Sequence, residues 1–315
     1  MSTPAKSVSL TAVTLALIGV QFCFGLNYVI LKQIVNQLPP LAWASFRIAV
    51  ATLVFFLICF LSGRPRPKMN REFLLPLAVF SLFGTILNQT AFIMGLSYTT
   101  STNSAILNSL IPMATLFIVT LRGQEKLTWY RAVGFIIALF GVVTLRGIEN
   151  FNMNESTWIG DLLTLGNCVS YGIFLSFSKK FFEKNDPLWS GAFLFLYGTI
   201  GIGLMSIPQW GRVDFSMNFQ PLIPHMIFAI AVGTLTAYYL NFWALRYAAA
   251  SRVALFINLQ PIIAGTFAWF WAGEGVTWRM VIASLCIFTG MLIALADPAQ
   301  MLLRRFRPKP EVNIV

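Results

Sequence analysis

The residues of this chain that could do chemistry are amides, hydroxyls and aromatic rings, set at helical spacing inside apolar stretches. Ser101, Ser104, Asn108 and Thr115 recur near the period of an α-helix and form one polar stripe, with Asn103 off it. Upstream, Thr85 and Asn88 share a face with Phe92, and Gln89 borders it. Asn167, Tyr171, Phe174 and Ser178 align in the same way, as do Thr234, Tyr238 and Asn241. Gln21, Asn27 and Tyr28 lie close to the N-terminus, while Asn258 and Gln260 point in different directions from one segment. Neutral groups of this kind hold a small polar solute by hydrogen bonds and ring contacts. The residues expected to line such a site are Asn27, Tyr28, Asn88, Phe92, Ser104, Asn108, Tyr171, Phe174, Tyr238, Asn241 and Asn258. The alternative use of any one of them is to tie helices together, at about 0.6 kcal/mol per contact.

The inventory speaks against an enzyme. A catalytic or metal centre needs clustered histidines, carboxylates or an activated nucleophile. The single histidine, His225, falls at a span boundary, and Asp161 and Asp297 also fall at span ends. Cys23, Cys59, Cys168 and Cys286 all lie inside apolar stretches without metal-ligand spacing. No Gly-rich phosphate loop with Lys and Ser or Thr is present, so neither ATP hydrolysis nor any cofactor is expected.

These side chains sit on elements that must cross a membrane. The chain is 57% hydrophobic and 10% charged, with a mean hydropathy of +0.74. Apolar runs long enough to span about 30 Å of hydrocarbon lie near 10–33, 40–62, 72–96, 101–121 and 127–146. Five more follow a polar loop, near 158–182, 187–207, 222–247, 250–271 and 276–296. The reading is an all-α integral membrane protein of ten transmembrane helices. The net charge of +11 would suggest nucleic acid in a soluble protein, but the bases stand in short loops. Placing both termini in the cytoplasm puts seventeen of the 22 Lys and Arg residues on the inner side. The expected location is therefore the cell (inner) membrane, multi-pass, with no nucleic-acid partner. The first span has no convincing cleavage site and reads as a retained helix.

The two groups of five runs are diverged copies. A shift of 149 superposes Leu96 on Leu245, Tyr98 on Tyr247, Pro112 on Pro261, Glu125 on Glu274, Trp129 on Trp278 and Gly141 on Gly290. Upstream, a shift of 147 pairs Gly19 with Gly166, Gly25 with Gly172, Lys32 with Lys179 and Pro40 with Pro187. An odd number of spans per copy inserts the second copy upside down. The expected organisation is a first repeat over 8–146, an external linker at 147–157, a second, inverted repeat over 158–297 and a basic cytoplasmic tail at 298–315.

The stretch from Ala91 to Leu145 resembles the EamA repeat of the drug/metabolite transporter superfamily. It has an Ala-containing span ending in Leu96-x-Tyr98, a mid-span Pro112, a Gly123 and Glu125 pair, and a following span with Gly141. The copy from Leu240 to Ala294 keeps Gly273 and Glu274 adjacent, whereas the first inserts Gln124 between the pair. The resemblance implies a ten-helix inverted-repeat fold exporting small metabolites through a cavity lined by spans 1, 3, 4, 6, 8 and 9.

Other positions carry sharper expectations. Pro112 and Pro261 would free the carbonyls of Asn108 and Ile257 and act as hinges, or else make static kinks. Arg47 lies about 10 Å into its span at 1.5 Å per residue. It could attract a carboxylate, but snorkelling or bonding to backbone carbonyls is the preferred reading. Glu125 and Glu274 are expected to cap spans 5 and 10. Ser104 and Asn108 become Val253 and Ile257 in the second copy, which predicts a cavity polar mainly on the first repeat's side.

The function read from all this is a secondary or facilitative transporter. It would export an amino acid or related zwitterionic or neutral solute by alternating access, as a monomer with only its substrate and membrane lipids as partners. The alternatives are a drug or nucleotide-type carrier of the same superfamily, a channel or flippase, or an intramembrane enzyme.

Overall fold

The computed structural model describes residues 9–123, 128–146, 157–248 and 250–295, and all regular structure among them is helical. Glu125 and the segment 147–156 lie outside the described residues, as do 298–315. In chain order the rods are α1 (Leu10–Val35), α2 (Pro40–Leu61), α3 (Arg71–Tyr98) and α4 (Ser101–Leu121). They continue with α5 (Trp129–Arg146), α6 (Thr157–Lys184), α7 (Pro187–Trp210) and α8 (Ile223–Tyr247). The ninth, α9, runs through Ala250–Phe256, a 3₁₀ turn at Ile257–Leu259 and Gln260–Ala272, and α10 is Trp278–Leu295. Eight of these are long and apolar enough to cross a membrane. The apolar parts of α5 and α10, Ala132–Gly141 and Trp278–Gly290, are shorter.

Local chemistry sets the ends. The Ser9 hydroxyl accepts from the Ala12 N–H at 3.1 Å, and Asn70 Oδ1 accepts from the Phe73 N–H at 3.0 Å. Asp186 Oδ1 caps α7 through the N–H groups of Leu188 and Trp189, at 2.9 and 3.1 Å. The other Asp186 oxygen accepts from Arg64 Nη1 at 2.7 Å, which fastens the α2–α3 loop to the α6–α7 turn. At the end of α9, Gly273 takes φ +66°, a conformation that closes the helix and lets the Glu274 N–H reach the Ala268 carbonyl.

Packing follows the duplication. Helix α1 packs on α8 and α9, while α6 packs on α3 and α4; α2 pairs with α7 and α5 with α10. Exchanging the halves therefore maps the contacts onto themselves. The α5–α10 seam is held by small residues, since a Cβ on Gly290 would strike the Gly134 carbonyl and the Ala138 backbone. Lys32 Nζ donates to the last carbonyls of α3, those of Leu96 (3.0 Å) and Ser97 (3.2 Å). Its repeat partner Lys179 does the same for α8 at Leu245 (2.8 Å) and Arg246 (3.0 Å). The outer surface is apolar, with Leu53, Leu121, Phe270 and Trp271 exposed, whereas Gln21, Arg47, Asn108, Thr115 and Gln260 are buried. That distribution is the reverse of a soluble protein and suits a hydrocarbon solvent.

Candidate functional site

Four helices lose their regular ladder where the two halves meet. A π turn occupies Leu82–Ile86 in α3, and a second occupies Ala231–Thr236 in α8, at the repeat-equivalent position. Gly84 lies within the first and Gly233 within the second. The Phe174 ring fills the space a Cβ on Gly84 would need, and the Asn27 amide does the same at Gly233. The extra residue in each π turn re-aims the side chains that follow, Asn88 and Gln89 in one copy and Tyr238 in the other.

In α4 and α9 the break takes a different form. The α4 helix stops at Asn108, with 3₁₀-type bonds from the Ser109 N–H to the Ile106 carbonyl (3.1 Å) and from Leu110 to Leu107 (3.0 Å). A new helix starts at Ile111, with Pro112 in its first turn; Pro261 stands likewise in the first turn of Gln260–Ala272. Both prolines therefore begin a half-helix, where their missing N–H costs nothing, instead of kinking a continuous one.

Around these irregularities lies a cavity of about 60 Å³, room for a few waters. Gln21, Phe24, Asn27 and Tyr28 of α1 line it, with Asn88, Gln89 and Phe92 of α3 and Asn108 and Ile111 of α4. The other half supplies Asn167 and Tyr171 of α6, Gly233, Tyr238 and Asn241 of α8, and Ile257 and Gln260 of α9. Arg47 of α2 completes the wall.

The polar groups form one directional chain. Arg47 Nη2 donates to Gln89 Oε1 at 2.5 Å, and Gln89 Nε2 donates to Asn88 Oδ1 at 3.1 Å. Asn88 Nδ2 then donates to Asn167 Oδ1, and Asn167 Nδ2 to Asn108 Oδ1. Asn108 Nδ2 ends the run on the Ser104 carbonyl at 3.0 Å. Each amide turns its oxygen toward the guanidinium and its nitrogen away, so the dipoles polarise one another in the field of the buried cation. Gln89 Nε2 also reaches the Tyr238 hydroxyl, its own repeat equivalent 149 positions away. Two shorter groups complete the lining. Gln260 joins the Tyr28 hydroxyl (3.1 Å) to Gln21 Oε1 (2.7 Å), and Asn241 Nδ2 donates to the Tyr171 hydroxyl at 2.7 Å. Phe24 meets Tyr238 edge-on at 5.3 Å between centroids, and Tyr28 meets Phe92 at 5.2 Å.

The structure brings together eight of the residues singled out from the sequence: Asn27, Tyr28, Asn88, Phe92, Asn108, Tyr171, Tyr238 and Asn241. Three do not reach the cavity. Ser104 contributes its carbonyl to Asn108, Phe174 packs behind Tyr171 and against Gly84, and Asn258 Nδ2 bonds the Leu255 carbonyl at 2.7 Å. The expectation that polarity sits mainly on the first repeat is also corrected. Asn108 is matched by Ile257, but Gln260 stands where the first copy has Ile111, and Asn167 where it has Val20. Both halves contribute, because losses at one layer of the cavity are offset by gains at another.

Two further expectations change. Arg47 does not snorkel; it is 1% exposed and turns inward to the cavity. Its direction is set by the α2–α3–α8 packing, which no helical phase within α2 reveals. Glu274 caps α4 and not α10: its oxygens accept from the N–H groups of Ser101 (3.0 Å) and Thr102 (3.1 Å) and from Thr102 Oγ1 (2.8 Å). The contact crosses between repeats.

The model of the EamA-like transporter family matches this chain twice, over 11–147 and 158–296. The chain belongs to that family. Among similar proteins is the uncharacterized transporter YoaV of Bacillus subtilis, 24% identical across 89% of this chain and 96% of its own length. An uncharacterized transporter of Archaeoglobus fulgidus is 26% identical over 86% of this chain and 94% of its own. The WAT1-related protein At5g13670 of Arabidopsis thaliana is 23% identical over 89% and 83%. One solved crystal structure superposes with a TM-score of 0.64 over 95% of this chain at 15% identity, a likeness of fold. The chain is thus a multi-pass membrane transporter of the drug/metabolite transporter superfamily.

Proposed function

We propose that this EamA-family protein is a secondary or facilitative carrier. It moves a small metabolite, an amino acid or a related zwitterionic or neutral solute, outward across the cell (inner) membrane by alternating access. The observation that carries the reading is the cavity lined by amides and tyrosines where two copies of one five-helix unit meet, each copy contributing a π turn and a broken helix. Broken helices near the midplane supply carrier sites because their freed backbone groups and altered phase face the solute. In this reading all ten helices span the bilayer, as two inverted repeats over 8–146 and 158–297, with 147–157 outside and both termini inside. The bias of basic residues supports that orientation. Pro112 and Pro261 mark where half-helices rotate, and the protein works as a monomer among lipids.

A single guanidinium on the wall is too little positive charge for a diphosphate, which argues against a nucleotide-type cargo. The test is counterflow in proteoliposomes loaded with unlabelled amino acids. Saturable uptake of labelled solute against its gradient is expected. Flux without saturation or counterflow, or unitary currents in planar bilayers, would point to a pore instead.

A further inference from the structure

Arg47 is a cation at the wall of the cavity, and no acidic side chain among the described residues pairs with it. Of the residues lining the cavity it alone is charged, and none is acidic. Its guanidinium uses Nη2 on Gln89 at 2.5 Å and Nη1 on Thr234 Oγ1 at 3.5 Å, while Nε makes no hydrogen bond. Amide oxygens solvate such a charge but do not neutralise it, and an unneutralised charge in hydrocarbon is expensive. The repeat-equivalent position carries no cation. The shift of 147 that aligns the two copies puts Leu194 at the equivalent position of α7, where it is fully buried. An apolar side chain satisfies the packing there, so the guanidinium is an addition specific to one side of the site.

We propose that Arg47 is the carboxylate-recognition residue of the cavity, and that the preferred solute is a small organic monocarboxylate with net charge −1. Arginine's planar fork matches a carboxylate in two parallel hydrogen bonds, through Nε with Nη2 or through Nη1 with Nη2. Nη2 carries two N–H groups, of which Gln89 takes one, and the Nε–H is unpartnered. A zwitterion brings its ammonium into the same small space as the guanidinium, where no carboxylate answers it. Beyond the charged end, Phe24, Tyr28 and Phe92 offer ring faces to an apolar body, and Asn27 Oδ1, which makes no hydrogen bond, accepts from a hydroxyl or N–H. This assignment keeps the carrier reading, on which it rests for transport though not for binding, and replaces its zwitterionic or neutral cargo with an anionic one.

The experiment measures ligand-induced thermal stabilisation and apparent Kd of the purified full-length protein against matched compounds. One set is 3-phenylpropionate, 3-phenylpropanamide, phenylalanine and phenylalaninamide; acid and amide pairs from acetate to indole-3-carboxylate extend it. Wild type is expected to bind at least one acid about tenfold or more tightly than its amide, with the zwitterion intermediate and the cation weakest. Arg47→Gln abolishes the acid-over-amide preference, and Arg47→Lys keeps part of it. Gln89→Glu supplies the missing anion from within. It is expected to raise the melting temperature of the unliganded protein and remove the response to acids, which keeps the test informative if Arg47→Gln does not fold. Absence of an Arg47-dependent acid preference in every pair, or a zwitterion or cation bound more tightly than the acid, overturns the assignment. Carboxylate binding that survives where no solute shows counterflow would overturn the carrier reading and leave this one standing. Counterflow of zwitterions unchanged in Arg47→Gln would do the reverse.

Discussion

Replacing Glu274 with alanine tests whether a side chain from one repeat holds a helix of the other. In the structure the first three N–H groups of α4 are all met by side chains. Ser101 and Thr102 donate to the Glu274 carboxylate at 3.0 and 3.1 Å, and Asn103 donates to Thr100 Oγ1 at 3.2 Å. A hydrogen bond to a charged acceptor is worth about 1.5–3 kcal/mol and an anion at a helix N-terminus about 0.3–1 kcal/mol. Glu274 is half-buried, and water replaces part of what is lost, so the net cost of Glu274→Ala is about 2 kcal/mol. At 1.4 kcal/mol per tenfold change that is a factor of about 30 in local opening. Hydrogen exchange read by mass spectrometry in nanodiscs reports it directly, since amides exchange through such openings. The peptide that begins α4 is expected to exchange about 30-fold faster, while one from the middle of α6 is unchanged. Thr100→Ala, which removes only the Asn103 cap, is expected to give about a fivefold effect from a loss of ~1 kcal/mol. If Glu274→Ala leaves α4 exchange unaltered, or raises it equally in α6, the carboxylate does not tie the repeats together. With the orientation proposed above, the tie lies at the outer end of the bundle and its loss favours opening there.

Further substitutions separate close packing from mere conservation of shape. Gly233→Ala drives a methyl group into the Asn27 amide and is expected to lower stability by about 1–3 kcal/mol. Gly203→Ala, in the same kind of helix with nothing near its Cβ, is expected to gain up to ~1 kcal/mol; equal Tm shifts for the two would refute the packing argument. Asn167→Leu breaks the amide chain in the middle, strands Asn88 Nδ2 at about 1–3 kcal/mol and leaves Asn108 Oδ1 only the weak Cys168 thiol donor at 3.6 Å. Unfolding of the single and double variants with Asn88→Leu is expected to show coupling above ~0.5 kcal/mol, and additive losses would mean the chain is not cooperative.

Much of the site was legible because membrane helices are apolar by default. Asn88, Asn108 and Tyr238 stand out against that background at helical spacing, and all three reach the cavity. Phase alone misplaced Phe174 and Asn258: Phe174 packs against Gly84 in the π turn of α3, Asn258 stands in a 3₁₀ turn, and neither turn has a one-dimensional signature here. Gln21 and Gln260 were visible as buried amides, but their pairing spans 239 positions and depends on how α1 meets α9.

The sequence by itself determined the helical class, the approximate spans, the duplication and the bias of charge between the two ends. These are properties of composition and period, and they depend only on what each stretch of chain meets when it enters hydrocarbon. The tertiary structure alone decided that Arg47 faces inward, that Glu274 caps α4, and that amides from α3, α4 and α6 join in one polarised chain. Each of those contacts links elements far apart in the chain, and its direction follows from helix crossing and from the π turns that re-aim the side chains. Hydrophobicity places a helix in the membrane; only its neighbours determine where its polar side chains point.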